Sequence, residues 1–234
     1  MDNIQISNLY KSYPIGKEFL EVLKGVNFDI DPRKITVVVG KSGCGKTTLL
    51  KLLCGLESPT NGKIVFPEDT RVGMVFQEAR LMPWLTCEKN ITFGLKKPYD
   101  SQRIKKLIQT VGLSGFEKAY PNQLSGGMQQ RAALARTLAC DCSLILMDEP
   151  FAALDYFTRE NMQRELLRIR RESSAGVVFV THSIDEALIL GDIIAVMSNG
   201  VISKTWLIPT AGEERDILSE RFIEIKREIL HAMR

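Results

Sequence analysis

The chain has 234 residues, 44% hydrophobic and 25% charged, with 31 basic and 28 acidic side chains and a formal net charge of +3. That length can bury a sizeable core as one large α/β domain or two small ones, and the composition is ordinary for a soluble globular protein. A surplus of three charges is too weak to argue for nucleic acid, and no run approaches the roughly 18 apolar residues of a membrane span.

Five cysteines, Cys44, Cys54, Cys87, Cys140 and Cys142, are odd in number and lack zinc-ligand spacing, which predicts thiols in a reducing compartment. With no signal peptide evident, a cytosolic protein is expected. Cys140 and Cys142 read as small buried residues ahead of a core strand. Asn90-Ile91-Thr92 fits a glycosylation pattern that a cytosolic chain does not use. Arg164, Arg168, Arg170 and Arg171 cluster, but Glu160, Glu165 and Glu172 lie among them, so a solvated helix face is expected there.

In chain order, Ile4, Ile6 and Leu9, then Val22, Val26, Phe28 and Ile30, alternate with polar residues and predict an antiparallel sheet buried on one face. The β-branched run Ile35–Val39 instead predicts a strand buried on both faces. A glycine-rich loop follows, and then a predicted helix over 47–54. A short strand is predicted at 72–76. From 78 to 139 helical spacing takes over, through Ile104, Leu107, Ile108 and Val111, then Ala132, Leu134, Ala135 and Leu138. Strands return at 144–147, 177–180 and 193–197, alternating with helices at 156–171 and 184–190. Such alternation predicts a mostly parallel sheet with right-handed crossovers. Ser183 and Glu186 form a capping-box pattern, and 206–234 reads as a loop and an amphipathic helix carrying Ile217, Leu218, Phe222, Ile225 and Ile229.

The chemistry begins at Gly40-Lys41-Ser42-Gly43-Cys44-Gly45-Lys46-Thr47-Thr48, a phosphate-loop pattern in its required strand-loop-helix context. The glycines let backbone N–H groups converge, and the helix start adds partial positive charge. Lys46 is expected at the β- and γ-phosphates and the Thr47 hydroxyl on Mg²⁺. Cys44 reads as a space-filler and Lys41 as a solvated loop residue. Asp148 ends an apolar strand, so its carboxylate emerges at the sheet's C-terminal edge, suited to the hydration shell of Mg²⁺. Glu149, projecting differently, is the candidate for polarising an attacking water. Leu124-Ser125-Gly126-Gly127-Met128-Gln129, opening a helix predicted over 129–139, supplies a second anion-binding terminus.

These segments, with Gln77 and His182, resemble the ATPase subunit of an ABC (ATP-binding cassette) transporter over roughly residues 1–205. The resemblance implies an α/β fold. It has a P-loop NTPase core with a mostly parallel sheet, an N-terminal antiparallel β subdomain and an inserted α-helical subdomain. One nucleotide-binding domain is expected over 1–234, with an ATP-binding core at 1–77 and 140–205, a helical subdomain at 78–139 and a tail at 206–234. It also implies a head-to-tail dimer, in which Ser125, Gly126, Gly127 and Gln129 of each copy cap the ATP held by the other's phosphate loop. By resemblance Asp155 communicates across that interface, Gln77 senses Mg²⁺ and the attacking water, and His182 contacts the γ-phosphate or holds the water. Tyr13 is the expected adenine platform, with Phe19 as runner-up.

The stretch from Arg80 to Trp84 is similar to the nitrate, sulfonate and taurine importer ATPases, which usually carry a proline where Ala79 stands. Partners implied are a membrane permease, reached through an exposed patch of Leu81, Pro83, Trp84 and Leu85, and an extracytoplasmic solute-binding protein. The expected location is the cytoplasmic face of the membrane. An exporter subunit and a non-transport ABC ATPase are the alternatives.

Overall fold

The computed structural model describes residues 3–172, 175–209 and 215–233, so residues 210–214 and 234 of the expected tail lie outside the described residues. In chain order the elements are β1 (Ile4–Ile15), β2 (Glu18–Ile30), β3 (Ile35–Val39), α1 (Lys46–Leu53), β4 (Asn61–Val65), β5 (Val72–Val75), α2 (Cys87–Ile91) and α3 (Ser101–Thr110). There follow α4 (Gly126–Ala139), β6 (Leu144–Asp148), α5 (Tyr156–Glu172), β7 (Gly176–Thr181), α6 (Ile184–Leu190), β8 (Ile193–Ser198), β9 (Val201–Leu207) and α7 (Glu220–Ala232). They form two compact units, one of residues 1–70 and 175–234, the other of residues 71–174.

In the first unit β3 runs parallel to β7 on one side and to β8 on the other. All five residues of β3 are buried, as a strand covered on both faces requires. Leu49, Leu50, Leu52 and Leu53 of α1 are buried as well. β9 closes this sheet antiparallel to β8. The predicted antiparallel sheet is present in the order β2-β1-β4. Its expected alternation breaks at Val22. Ser12 pairs with Glu21 and Lys11 with Leu23, so Val22 is the extra residue of a bulge, and Leu23 enters the core in its place.

β4 and β9 were not expected from the sequence. Both are edge strands with mostly exposed side chains, so they carry no alternating apolar pattern. Trp206 and Leu207, read as tail, belong to β9. In α7 Phe222 and Ile229 are buried as expected, but Leu218 is 78% exposed and lies ahead of the helix. Arg215, nearly buried, donates to the carbonyl oxygens of Leu188, Ile189 and Gly191 at 3.0, 3.3 and 2.7 Å. A guanidinium there satisfies the orphan carbonyls at the C-terminus of α6 and complements its dipole. At the other end Ser183 Oγ accepts from the Glu186 N–H. The reciprocal half of the expected capping box runs through Thr181, whose hydroxyl pairs with the Glu186 carboxylate and accepts from the Ser183 N–H.

In the second unit β5 and β6 pair in parallel. The helical part packs Cys87, Ile91, Ile104, Ile108, Val111, Leu113 and Leu124 against Ala132, Ala135 and Ala139 of α4. Asp100 caps α3 by accepting from the N–H groups of Gln102 and Arg103. Leu138, expected on the buried face of α4, is only half-buried; Thr137 is buried instead and donates to Met74 O at 3.2 Å. Cys140 and Cys142 are also half-buried rather than buried. On α5, Glu160–Arg164 and Glu165–Arg168 pairs at 2.7 and 2.9 Å give the expected mixed-charge face. Among the described residues no helix is long and apolar enough to cross a membrane.

Asn90, part of the glycosylation pattern, is fully buried and organises the loop before α2. Its Oδ1 accepts from the Met82 N–H at 2.7 Å, and its Nδ2 lies 3.1, 3.0 and 3.2 Å from the carbonyl oxygens of Met82, Leu85 and Thr86. Removing the amide leaves several buried backbone groups unpaired, at about 1–3 kcal/mol in total. Asn90→Ala should therefore lower unfolding free energy by about 2 kcal/mol in a urea titration.

Candidate functional site

The phosphate loop leaves β3 at Gly40 and enters α1 at Lys46. Gly45 stands at the helix start with φ 109° and supplies no side-chain cap, and the first turn of α1 contains no acidic residue. A Cβ on Gly45 would lie 2.7 Å from Leu23 Cδ2, and one on Gly40 would lie 2.3 Å from Met197 O, so both positions demand glycine. A Cβ on Gly43 would meet nothing within 4 Å, which marks the outer, open side of the loop. Lys46 is only 6% exposed, and its Nζ donates to the carbonyl oxygens of Gly40 and Lys41 at 2.9 and 3.0 Å. The ammonium is thus drawn inside the loop, where it adds positive charge to the converging N–H groups. Lys41, Ser42 and Thr47 are exposed, while Cys44 and Thr48 are half-buried.

Tyr13 and Phe19 occupy different settings on the β1–β2 hairpin. Tyr13 pairs with Leu20 and Phe19 with Pro14, so the two aromatic residues sit on opposite faces of the ribbon. Tyr13 is half-buried and its hydroxyl donates to the Glu57 carboxylate, on the loop that follows α1; Phe19 is 76% exposed. The face turned to α1 is therefore the Tyr13 face. Burial, together with the Glu57 hydrogen bond, pushes the Tyr13 phenol up. Burial alone would raise Glu57, but hydrogen bonds from Tyr13, Lys11 and Lys51 hold its carboxyl below the usual range. His182 lies exposed in the same unit, between the end of β7 and the start of α6.

The remaining expected site residues belong to the second unit. The signature helix α4 begins at Gly126, three residues before its predicted start, because the exposed Ser125 caps it by accepting from the Met128 N–H at 3.3 Å. A Cβ on Gly126 would meet nothing within 4 Å, so this helix end is open. Gln129 Nε2 donates to Pro121 O and Leu124 O at 2.9 and 3.1 Å, shaping the turn that ends at Ser125. A Cβ on Gly127 would lie 3.2 Å from Leu154 Cδ2, which brings the segment ahead of Asp155 against the signature turn. Asp155 itself caps α5. Its Oδ1 accepts from the Thr158 N–H at 3.0 Å, and the Thr158 hydroxyl and N–H hold its carboxyl below the usual range.

Asp148, 4% exposed, is the last residue of β6. Glu149 follows at φ 45°, a left-handed conformation rare outside glycine, and the Ala152 N–H closes a turn onto its carbonyl at 3.1 Å. That conformation ends the strand's alternation at Glu149.

Gln77 is exposed just beyond β5. Buried Gln130 and half-buried Arg136 of α4 hold its neighbours. Gln130 Nε2 donates to Phe76 O at 2.8 Å, and the Arg136 guanidinium donates to Ala79 O and Arg80 O at 3.1 and 2.9 Å. Arg80 has φ 44° and lays its guanidinium 4.1 Å from the Phe76 ring centroid. The expected exposed patch is narrower than its four residues suggest. Pro83 and Trp84 are exposed, Trp84 by 71%, while Leu81 and Leu85 are half-buried and Leu81 packs on the helical core. Sequence reasoning missed Glu57, Asn90, Gln130 and Arg136. Polar residues inside apolar helical spacing were the signal for Asn90 and Gln130; Glu57 gave none, since its partner is 44 residues away.

A family model described as ABC transporter matches residues 23–152. An uncharacterized ABC transporter ATP-binding protein of Methanocaldococcus jannaschii is 44% identical, over 99% of this chain and 91% of that one. An aliphatic sulfonates import ATP-binding protein of Bacillus cereus is 40% identical over 97% and 94%, and a taurine import ATP-binding protein of Pelagibacter ubique 41% identical over 95% and 91%. Among solved structures, a dimeric, post-hydrolysis ATP-binding cassette bound to ADP and Pi superposes with a TM-score of 0.80 at 31% identity, covering 89% of this chain and 100% of that one. The chain belongs to the ABC transporter family, with the α/β cassette fold of its ATP-hydrolysing subunits.

Proposed function

We propose that this ATPase energises solute import through a separate membrane permease, working as a head-to-tail pair with two Mg-ATP between the copies. The observation that carries the reading is the open, Ser125-capped N-terminus of α4 in a chain that already has a phosphate cradle at α1. Two anion-binding termini with one triphosphate to hold make sense when each terminus serves a different copy. The dimeric cassettes it resembles support the pairing. The names of its relatives support import of a sulfonate or taurine, and the stretch from Arg80 to Trp84 widens the solute to nitrate or a related small solute.

The donor set suits the ligands. The glycine backbone and Lys46 present N–H groups to phosphate oxygens, and Thr47, Asp148 and Gln77 offer the hard oxygen donors that Mg²⁺ prefers. Bound there, Mg²⁺ would neutralise charge on the β- and γ-phosphates. Lys46 holds the transferred phosphoryl group, while Ser125 of the second copy and His182 stabilise its charge. Glu149 accepts a proton from the attacking water as that water approaches phosphorus, and Gln77 orients it. Tyr13 stacks on adenine, and Gly126, Gly127 and Gln129 form the cap. Asp155 lies between the copies. Residues 1–77 and 140–205 act as the ATP-binding core and 78–139 as the helical subdomain.

Pro83 and Trp84 are the contact to the permease, and a solute-binding protein outside the membrane delivers the solute to that permease. This places the subunit on the cytoplasmic face. The Asn90 clamp beneath Trp84 and the Gln130 and Arg136 bonds behind Gln77 support one rigid lever from nucleotide to permease.

Glu149→Gln should slow ATP hydrolysis by at least about a hundredfold while ATP binding persists, and the variant should elute as a dimer when ATP is present. Turnover at the parent rate would remove Glu149 from its role. In vesicles carrying the assembled transporter, Trp84→Ala should reduce transport by about tenfold or more, as loss of an exposed aromatic anchor does, with a far smaller effect on hydrolysis by the isolated subunit. Equal loss of both would place Trp84 in the fold and not at the permease.

A further inference from the structure

Glu57 lies outside every motif named above, yet it gathers three side chains from two elements. Its Oε2 accepts from the Tyr13 hydroxyl and pairs with Lys11 Nζ at 3.3 Å, while its Oε1 pairs with Lys51 Nζ at 3.3 Å. The Glu57 N–H closes onto Lys51 O, also at 3.3 Å, so the carboxylate is carried by the C-terminal end of α1. Lys11 donates in addition to Ser58 O at 2.8 Å and sets its ammonium 5.0 Å from the Tyr13 ring centroid. The ring is therefore tethered at both ends, at its Cα by β1 and at its hydroxyl by Glu57, and one of its faces lies under a cation.

We propose that Glu57 is a positioning residue for the nucleobase, holding the Tyr13 ring by its hydroxyl so that the face away from Lys11 is preset to stack on adenine. The inference rests on the reading of Tyr13 as the adenine platform. A tyrosine ring fixed only through its side-chain torsions must be ordered when the base arrives, and ordering a side chain weakens binding. A second tether removes that loss before binding. Because Glu57, on the loop after α1, is held to Lys51 of that helix by its N–H and its carboxylate, and the other end of α1 carries Lys46, base platform and phosphate cradle are joined through one helix of eight residues. That fixes their spacing, which a mononucleotide must match.

The test measures equilibrium affinity of the full chain for Mg-ATP and for Mg-tripolyphosphate, which lacks the base. Tyr13→Phe, which removes only the hydroxyl, and Glu57→Ala should each weaken ATP binding by about fivefold, within the usual worth of an aromatic contact, and leave tripolyphosphate binding within about twofold. KM for ATP should rise by the same factor while kcat at saturation holds. Glu57→Gln, which keeps an oxygen acceptor for the hydroxyl, should recover most of the affinity. Combining Tyr13→Phe with Glu57→Ala should weaken ATP binding no further than either change alone. Tyr13→Ala separates the two readings. If it leaves ATP affinity intact, the adenine-platform assignment itself fails. If it weakens ATP binding while Tyr13→Phe and Glu57→Ala do not, the platform stands and the Glu57 tether is overturned. Equal weakening of ATP and tripolyphosphate by Glu57→Ala, with no effect of Tyr13→Phe, would also overturn it.

Discussion

The first-turn N–H groups of an α-helix have no carbonyl within the helix to pair with, and at α1 that deficit is kept open for a ligand. No side chain caps Gly45, no carboxylate lies in the first turn, and Lys46 is folded inward so that its charge adds to the same point. The surrounding structure maintains this arrangement. β3 is buried on both faces and fixes where the loop departs, four leucines pin α1 beneath it, and Leu23 and Met197 O close the space that a side chain at Gly45 or Gly40 would need. A site built from backbone groups cannot adjust by choosing a rotamer, so its precision comes from the packing around it.

In the second unit the start of α4 is exposed and, unlike that of α1, capped by a side chain, Ser125. Here buried polar groups do the fastening. Gln130 and Arg136 reach from α4 to the carbonyl groups around Gln77, and Asn90 binds the loop that carries Trp84. Each such group would be costly without its partners, so each specifies one conformation of a segment that has no regular secondary structure. The helix that presents Ser125 and the loop that presents Trp84 are consequently parts of one packed body, and displacement of one carries the other.

Six non-glycine residues among the described ones are left-handed, and two of them, Glu149 and Arg80, stand where chemistry is expected. The first lies beside the strand-end carboxylate and the second on the segment between Gln77 and Trp84. Each conformation costs on the order of 1 kcal/mol and persists because neighbours hold it, the Ala152 N–H in one case and Arg136 in the other. The first-unit tail is held by the opposite kind of interaction. Arg215 relieves the unsatisfied carbonyl groups at the end of α6, a stabilising contact with no strain attached.

Local chemistry made much of this protein legible. The run Ile35–Val39, the glycine spacing of the phosphate loop, the strand ending in Asp148 and the Ser125 cap each state their role in fewer than ten residues, because burial on two faces, a left-handed turn and a helix cap are decided locally. Edge strands β4 and β9 escaped notice, since exposed side chains leave no periodic trace. The bulge at Val22 was equally invisible, because register depends on the partner strand. The sequence alone thus determined the fold class, the two glycine-rich helix starts and the candidate catalytic carboxylate. Only the tertiary structure decided that Tyr13 and not Phe19 faces α1, that Glu57 holds it, and that Asn90, Gln130 and Arg136 brace the Gln77–Trp84 segment. Those outcomes hinge on which residues meet across tens of positions of chain, and no local pattern encodes such meetings.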